Sequence, residues 1–232
     1  MSTSLDPLQN PANGLSFAPE WAGTNIYLAS QPVTDCVEAL YPEERSVIAA
    51  SAPLRQRTFS SGRRCARIAL AEAGLPACVL ARADDGSVCW PEGVVGSVSH
   101  TNDWAVSAVA LRDMSEAASL GVDLERIQPL EAGVIKVVAT ASEQTELAMQ
   151  GAKRWQATAL FSLKESVYKC LRPSYGRFIG FKEVEICDIV SGKPHLSFCN
   201  EELSKHFRES EVQLRMAVTS DYVLSLAWLR NH

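Results

Sequence analysis

Paired cysteines of the kind that build metal centres or disulfide frameworks are missing from this sequence. Its seven cysteines are odd in number, lie far apart and never form a C-x-x-C motif. This pattern favours neither a zinc site nor a set of disulfides. We therefore expect a reduced, cytoplasmic protein in which the cysteines mostly pack as small core residues.

Long apolar runs and an excess of positive charge are missing as well. No stretch reaches the roughly 18 apolar residues that a membrane helix needs, and the opening MSTSLDPLQNPANG has no signal-peptide pattern. The net charge of −5 argues against broad nucleic-acid binding, although a local basic pocket could still hold a small anion. We therefore expect neither a membrane span nor a nucleic-acid partner.

The composition that remains is typical of a globular protein with its own core. At 232 residues, with 47% hydrophobic and 21% charged residues, the chain can form one large domain or two lobes. Helices are predicted at 42–50, 54–73 and 152–171, the second stopped by Gly74 and the third followed by Pro173. The first 20 or so residues are polar and rich in turn formers, which predicts a loose arm.

Short runs of strand-forming residues are spread along the rest of the chain. VVGSVSH at 94–100 and WAVSAVAL at 104–111 flank a tight turn, and LGVDL at 120–124 follows them. FKEVEICDIV, KPHLSF, LRMAVTS and YVLSLAWL come after the third helix, with a short helical piece near 201–208. Strands with interspersed helices predict an α+β fold.

Two acidic residues in LGVDLERI, Asp123 and Glu125, lie two positions apart. On a strand this spacing puts both carboxylates on one face, where they repel each other unless a cation lies between them. Mg²⁺ suits such oxygen ligands, because it binds few carboxylates and completes its shell with phosphates and water. The alternative is an exposed strand end whose acids are only solvated.

The segment FSLKESVYKC in the third helix places Glu165 and Lys169 four residues apart, away from the apolar stripe of that helix. The stripe consists of Leu160, Leu163, Val167 and Leu171. Glu165 and Lys169 could form an intrahelical salt bridge worth about 0.2–0.5 kcal/mol. In the functional interpretation, Glu165 is a third metal ligand and Lys169 binds a phosphate.

Positive charge is concentrated in the second helix, where five arginines lie within 13 residues, from Arg55 to Arg67. They form either a solvated helix face or a set of forked hydrogen-bond donors for phosphate oxygens. His100, at the end of an apolar run, is either a capping or packed residue or part of a site. Each of these features is weak when taken alone.

The order of the motifs is more specific than any one of them. The Arg-rich helix, G-S-V-S-H, G-V-D-L-E and F-S-L-K-E-S-V-Y-K together resemble the Sfp-type 4'-phosphopantetheinyl transferases, especially the branch of enterobactin synthetase component D and its actinobacterial relatives. That family has a G-[IV]-D-x-E strand and a [FW]-x-x-K-E-x-x-x-K helix. RQRTFSSGRRCARIAL, CWPEGVVGSVSH and GRFIGF extend the resemblance from Arg55 to Phe181.

The resemblance implies two similar α+β lobes related by a pseudo-twofold axis, residues 1–119 and 120–232, with the active site between them. It implies that coenzyme A binds with Mg²⁺, or Mn²⁺ in its place. A serine of an apo acyl or peptidyl carrier protein then attacks the β-phosphate of coenzyme A. The phosphopantetheine arm moves to the serine and 3',5'-ADP leaves. A monomer is expected, and fatty-acid, polyketide, non-ribosomal peptide and siderophore carriers all stay open.

The resemblance also implies roles for individual residues. Asp123, Glu125 and Glu165 would bind Mg²⁺, and Asp123, Glu165 and Lys169 would be catalytic. Glu165 or a water held by the metal would be the base for the serine, with Lys164 as a further contributor. The expected coenzyme A contacts are Arg55, Arg63, Asp85, Gly86, Ser87, Val88, Ser99, His100, Lys164, Lys169 and Ile179.

Two departures from the family pattern affect these expectations. Many relatives have Lys-Gly-x-Pro where this chain has Asp85-Gly86-Ser87-Val88, so nucleotide contacts there would be weaker or made by the backbone. Phe161 replaces a common Trp but keeps an aromatic ring. A Mg²⁺-dependent nuclease or phosphohydrolase and a non-catalytic coenzyme A-binding protein are the alternative functions.

Overall fold

In a computed structural model of the chain, residues 25–149 and 153–231 are described. The strands are β1 (Ile26–Pro32), β2 (Val94–His100), β3 (Trp104–Leu111), β4 (Ala117–Arg126), β5 (Val184–Cys187), β6 (His195–Phe198), β7 (Ser210–Val218) and β8 (Tyr222–Asn231). The helices are α1 (Pro42–Ile48), α2 (Pro53–Glu72), α3 (Ala132–Val138), α4 (Ala141–Met149), α5 (Arg154–Tyr175) and α6 (Glu201–His206). No helix within these ranges is both long and apolar enough to cross a membrane.

The same connectivity occurs twice along the chain. The first antiparallel sheet has the order β1-β3-β2, and the second has the order β4-β8-β7. In each, a strand leads to a long helix, then to a second strand, and the third strand pairs between the first two. Strands β5 and β6 form a separate hairpin. The predicted α+β fold is confirmed.

The core lies in layers that place α2 and α5 on opposite sides of the two sheets. Leu70 of α2 packs with Val109 against the first sheet, and Leu163 of α5 packs with Ala227 against the second. Between the sheets, Val106 belongs to one cluster with Val122. The predicted apolar stripe of α5 is buried as expected.

Gly121 fixes how closely α5 approaches β4. A Cβ atom at this position would lie 2.0 Å from the carbonyl oxygen of Ser166 and 2.6 Å from the backbone nitrogen of Cys170. Any side chain there would push the helix away from the strand. The glycine of the G-V-D-L-E motif is therefore required for the close packing of α5 beside Asp123 and Glu125.

The third predicted helix ends later than expected, because α5 continues through Pro173 to Tyr175. Its last turn closes at Gly176, whose φ of 77° is left-handed and whose N–H donates to the carbonyl of Arg172. A proline so close to the end of a helix removes only one hydrogen bond. The expected start at residue 152 lies outside the described residues, as does most of the predicted N-terminal arm.

Three elements, β1, α3 and α4, were not predicted from the sequence. The cysteine expectation was wrong for most positions, because only Cys36, Cys65 and Cys170 are buried. The predicted boundary between residues 119 and 120 falls within β4. The division into two domains therefore stays a prediction.

Candidate active site

A cleft of about 640 Å³ lies between α2 and β2 on one side and β4 and α5 on the other. Six of the residues that line it are cationic: Arg55, Arg63, Arg82, Arg112, Lys169 and Arg172. Asp85 is the single carboxylate among the described lining residues. Such a cleft in a chain with a net charge of −5 is suited to an anionic ligand.

Arg63 is the most deeply placed of the α2 arginines, with 4% of its surface exposed. Its Nε donates to the carbonyl of Leu80 at 2.8 Å, and its guanidinium lies over the ring of Phe59, 4.5 Å from the centroid. Burial lowers the pKa of Arg63 to about 10, so the group stays protonated at neutral pH. With Nε engaged, the terminal nitrogens are the donors left for a ligand in the cleft.

Arg55 and His100 meet at the end of β2. Arg55 Nη1 lies 3.3 Å from His100 Nε2. Loss of water around the ring, followed by the charges of Arg55 and Lys169, lowers the pKa of His100. A neutral imidazole can accept a hydrogen bond from Arg55 and hold that guanidinium at the cleft.

The loop before β2 is tied to α5 across the cleft. Asp85 forms an ion pair with Arg172 at 3.3 Å and accepts hydrogen bonds from the N–H and hydroxyl of Ser87. The hydrogen bonds from Ser87 are the main reason that the pKa of Asp85 is lowered. Gly86 has a φ of 87°, which favours glycine, and Arg82 is its nearest side chain. Residues 85–88, which the resemblance implies as coenzyme A contacts, border the cleft.

Asp123 is the most buried of the predicted metal ligands, at 3% exposure. Its Oδ1 accepts hydrogen bonds from Ser99 Oγ at 2.9 Å and from Lys169 Nζ at 2.7 Å. Its Oδ2 is buried and has no hydrogen-bond partner among the described residues. A buried carboxylate oxygen without a partner is costly and marks a position for a ligand.

Lys169 extends from α5 to β4 rather than along its own helix. Besides the ion pair with Asp123, its Nζ donates to the carbonyl of Val122 at 3.2 Å. The ion pairs of the described residues do not include one between Lys169 and Glu165. The simple intrahelical salt bridge that the sequence allows is therefore not what this side chain forms.

The carboxyl groups of Glu125 and Glu165 are half-buried near Asp123. Burial, followed by repulsion from Asp123, raises the pKa of Glu125 to about 7, with Lys169 acting in the opposite direction. Burial also raises the pKa of Glu165, again with Lys169 opposing. The site therefore concentrates more negative charge than its one nearby ammonium group balances.

The donor set fits a magnesium ion that is shared with a substrate. All three predicted ligands offer oxygen atoms, and Asp123 Oδ2 has no protein partner. However, the described residues contain no group of three or more His, Cys, Asp or Glu arranged to hold a metal. The residues therefore fit an ion completed by phosphates and water better than a preformed protein cage, and the three-ligand set stays a prediction.

Besides Ser99, whose hydroxyl is directed at Asp123, two predicted coenzyme A contacts lie away from the cleft. Lys164 is fully buried on the other side of α5, where its Nζ contacts Glu143 at 2.6 Å and the carbonyls of Val138, Phe181 and Val184. Four acceptors leave this ammonium no donor for a substrate. Ile179 is 4% exposed within the core beneath α5. The structure corrects both assignments.

Several cleft residues were not found from the sequence. Arg172 follows Lys169 by three positions on α5, so helical spacing could have indicated it. Arg82 and Arg112 lie singly in irregular segments, where no periodicity places them. Tyr168 and Trp90 also line the cleft.

Two family models match the chain. The model of the 4'-phosphopantetheinyl transferase superfamily matches residues 119–227, which include the three carboxylates and α5. The model of the 4'-phosphopantetheinyl transferase N-terminal domain matches residues 43–110, which include α2 and β2. Both sides of the cleft are thus covered.

Curated relatives match well over half of the chain. 4'-Phosphopantetheinyl transferase Svp of Streptomyces mobaraensis is 40% identical over 74% of this chain and 70% of its own length. The transferase PptT of Mycobacterium tuberculosis is 35% identical over 62% of this chain and 63% of its own length. The solved ACPS-CoA complex of Chronobacterium ammoniagenes is similar at a TM-score of 0.41 and 21% identity, over 49% of this chain and 96% of that one.

These matches define an enzyme class, the transferases of 4'-phosphopantetheine. The chain belongs to the 4'-phosphopantetheinyl transferase superfamily and is of the Sfp type. The identification made from the motifs is confirmed. Membership supports transfer of phosphopantetheine from coenzyme A to carrier proteins.

Proposed function

We propose that this chain transfers the 4'-phosphopantetheine arm of coenzyme A to a serine of an apo carrier protein, releases 3',5'-ADP and requires Mg²⁺. The observation that carries the proposal is a cation-lined cleft whose Lys169 contacts the buried Asp123. Coenzyme A bears a pyrophosphate and a 3'-phosphate, so it needs several cations at once. Cations and carboxylates side by side suit such a ligand together with a metal ion.

The arginines of α2 would bind the nucleotide end of coenzyme A. Arg63 is held by Leu80 and Phe59, so little side-chain freedom is lost when a phosphate binds. Arg55, beside His100, offers a second guanidinium at the same wall. The ion pair between Asp85 and Arg172 holds the loop that borders this end of the cleft.

At the reacting end, the serine oxygen of the carrier forms a bond to the β-phosphorus while the bond from that phosphorus to 3',5'-ADP breaks. Lys169 binds a phosphate oxygen and stabilises the charge that develops on the leaving group. Glu165, with its raised pKa, accepts the proton that the serine loses. Mg²⁺ bound by Asp123, Glu125 and Glu165 would supply further charge stabilisation.

Mass spectrometry of apo carrier proteins after incubation with this chain, coenzyme A and Mg²⁺ tests the proposal. Each modified carrier should gain one phosphopantetheine, and 3',5'-ADP should appear in equal amount. A panel of fatty-acid, polyketide, non-ribosomal peptide and siderophore carriers would rank the partners, with siderophore and other secondary-metabolite carriers expected first.

A reaction without carrier protein separates the proposal from hydrolysis. A transferase releases 3',5'-ADP only when an apo carrier accepts the arm, whereas a phosphohydrolase releases it from coenzyme A and water alone. Release at an equal rate in the absence of carrier would overturn the proposed function. Replacement of Mg²⁺ by EDTA should abolish transfer and tests the metal requirement separately.

A further inference from the structure

The hydroxyl of Ser99 is directed at β4 and not at the cleft. Ser99 is 8% exposed, and its Oγ donates to Asp123 Oδ1 at 2.9 Å and accepts from the N–H of Leu124 at 3.3 Å. A serine hydroxyl has one proton to donate. Donation to a substrate phosphate would therefore break its bond to Asp123.

The lining of the cleft agrees with this orientation. Every residue of β2 from Val94 to Val98, and His100 at its end, borders the cleft, but Ser99 does not. The resemblance to the family implies that Ser99 contacts a phosphate together with His100. Only His100 is placed for that role in the structure.

The two donors on Asp123 come from opposite sides and occupy the same oxygen. Ser99 belongs to β2 of the first sheet, and Lys169 belongs to α5. Both donate to Oδ1, which leaves Oδ2 buried and without a partner among the described residues. Held in this way, the carboxylate cannot rotate to exchange its two oxygens without losing two charge-assisted hydrogen bonds.

We propose that Ser99 is a positioning residue that holds Asp123 by Oδ1, so that Oδ2 is presented to the metal ion. The inference rests on the proposed function, because a metal-dependent transfer is what gives Asp123 its role. Hydrogen-bond partners of metal ligands typically change metal affinity about 10- to 100-fold when they are removed. Ser99 should therefore act on metal binding, with little effect on the binding of coenzyme A itself.

The test compares Ser99→Ala and Ser99→Thr with the natural chain in two binding measurements. Mn²⁺ is titrated into the protein in the presence of coenzyme A and followed by electron paramagnetic resonance. Coenzyme A is titrated by calorimetry in EDTA. We expect Ser99→Ala to weaken Mn²⁺ binding at least about 10-fold, to leave coenzyme A affinity within about 2-fold, and to be largely rescued in Ser99→Thr.

Ser107→Ala is the matched control, because Ser107 is a buried serine of the same sheet whose Oγ donates to the carbonyl of Ser97. It removes a comparable hydrogen bond without touching Asp123, so Mn²⁺ affinity should be unchanged. Thermal unfolding of all variants shows whether a loss of affinity reflects unfolding.

Three results would overturn the inference. They are weaker coenzyme A binding in EDTA with normal Mn²⁺ affinity in Ser99→Ala, no change in either measurement, and no Mn²⁺ binding by the natural chain. The readouts are independent of the transfer reaction. A chain whose Mn²⁺ affinity depends on Ser99 as expected, but which modifies no carrier, would overturn the proposed function and leave only the positioning of Asp123 by Ser99.

Discussion

The two halves of the molecule contain corresponding ion pairs, each with a buried glutamate, at the same place in their connectivity, but their charges in the cleft differ. In the first half, Glu44 lies in the first turn of α1 and is fully buried. It accepts hydrogen bonds from the N–H of Tyr41, from Arg67 of α2 and from the N–H of Leu80. The Glu44 carboxylate thus links α1 to α2 and to the segment after α2 that contains Leu80.

In the second half, Glu143 lies in the first turn of α4 and has the corresponding partners. It accepts hydrogen bonds from the N–H of Thr140, from Lys164 of α5 and from the N–H of Ile186. Each glutamate accepts a hydrogen bond from the backbone N–H three residues before it and so caps the start of its helix. Each also forms an ion pair with a cation of the long helix in its half, Arg67 of α2 or Lys164 of α5. The repeated contacts indicate that this ion pair belongs to the scaffold of each half.

The charges that are not repeated belong to the site. The first half contributes Arg55 and Arg63 to the cleft, whereas the second contributes Lys169, which forms an ion pair with the buried Asp123. The comparison also separates the neighbours Lys164 and Glu165, which lie on different sides of α5. Lys164 supports the scaffold, and Glu165 lies with the carboxylates.

Breaking the scaffold pair should have the largest effect. Lys164→Met leaves Glu143 buried without a cation, so we expect the free energy of unfolding to fall by about 3–5 kcal/mol. Arg67→Met should cost less, because the Arg67 side chain is 13% exposed and water can partly replace it. Urea unfolding measures both. A Lys164→Met protein that is stable but binds coenzyme A poorly would show that Lys164 contacts the substrate and is not part of the scaffold.

The second largest effect is expected from a substitution that separates α5 from β4. Gly121→Ala forces a Cβ atom against the backbone of α5, so we expect a loss of about 3 kcal/mol in the free energy of unfolding. Gly133→Ala is the control, because a Cβ atom there meets nothing within 4 Å. If both substitutions left the unfolding midpoint unchanged, the close approach of the helix would be wrong.

The contribution of the second half to the chemistry is tested at Asp123. Asp123→Asn keeps the shape but removes the charge, and we expect turnover to fall about 10²-fold, or roughly 2.7 kcal/mol in activation free energy. Steady-state transfer to an apo carrier at saturating Mg²⁺ measures the effect. Asp113→Asn, at an exposed turn, should transfer normally. Near-normal turnover in Asp123→Asn would show that the charge of this carboxylate is not needed for the reaction.

Loss of a cation from the first half should have a smaller effect, mainly on the binding of coenzyme A. Arg63→Ala should raise the KM for coenzyme A about 10-fold with a smaller change in kcat, because the 3'-phosphate is remote from the breaking bond. The variant should also lose its preference for coenzyme A over 3'-dephospho-coenzyme A. Arg64→Ala is the control, since Arg64 is exposed and does not line the cleft. Unchanged discrimination in Arg63→Ala would assign the 3'-phosphate to another cation, with Arg55 next.

Local patterns predicted the elements that carry the motifs. Helix α5 has a clear apolar stripe, α2 is followed by Gly74 and Pro76, and β2 and β3 flank a turn, so the sequence indicates these elements directly. Strand β1 and helices α3 and α4 have weak sequence patterns, because their stability comes from tertiary packing. The motifs identify the arginines of α2 and the acids of β4 as site residues. Arg82 and Arg112 belong to no motif, and only the fold brings them to the cleft.

The role of Lys164 could not be read from its position in the motif. Lys164 and Glu165 are consecutive on a helix, so one residue step, about 100°, separates their directions. Which of them is buried depends on Glu143, a residue 21 positions earlier whose proximity is set by tertiary structure. The partners of Ser99 are likewise on another strand, 24 and 25 positions away.

The position of the cleft has a consequence for solubility. Strands β2 and β4 are edge strands of their sheets, and unpaired edges are sites of aggregation. On β4, the edge groups Val122 C=O and Leu124 N–H are bonded by Lys169 and Ser99. The side chains that arrange the carboxylate also cover this edge against pairing with another chain. A substitution that separates the two halves would therefore disable the site and also expose β4 as an aggregation-prone edge strand.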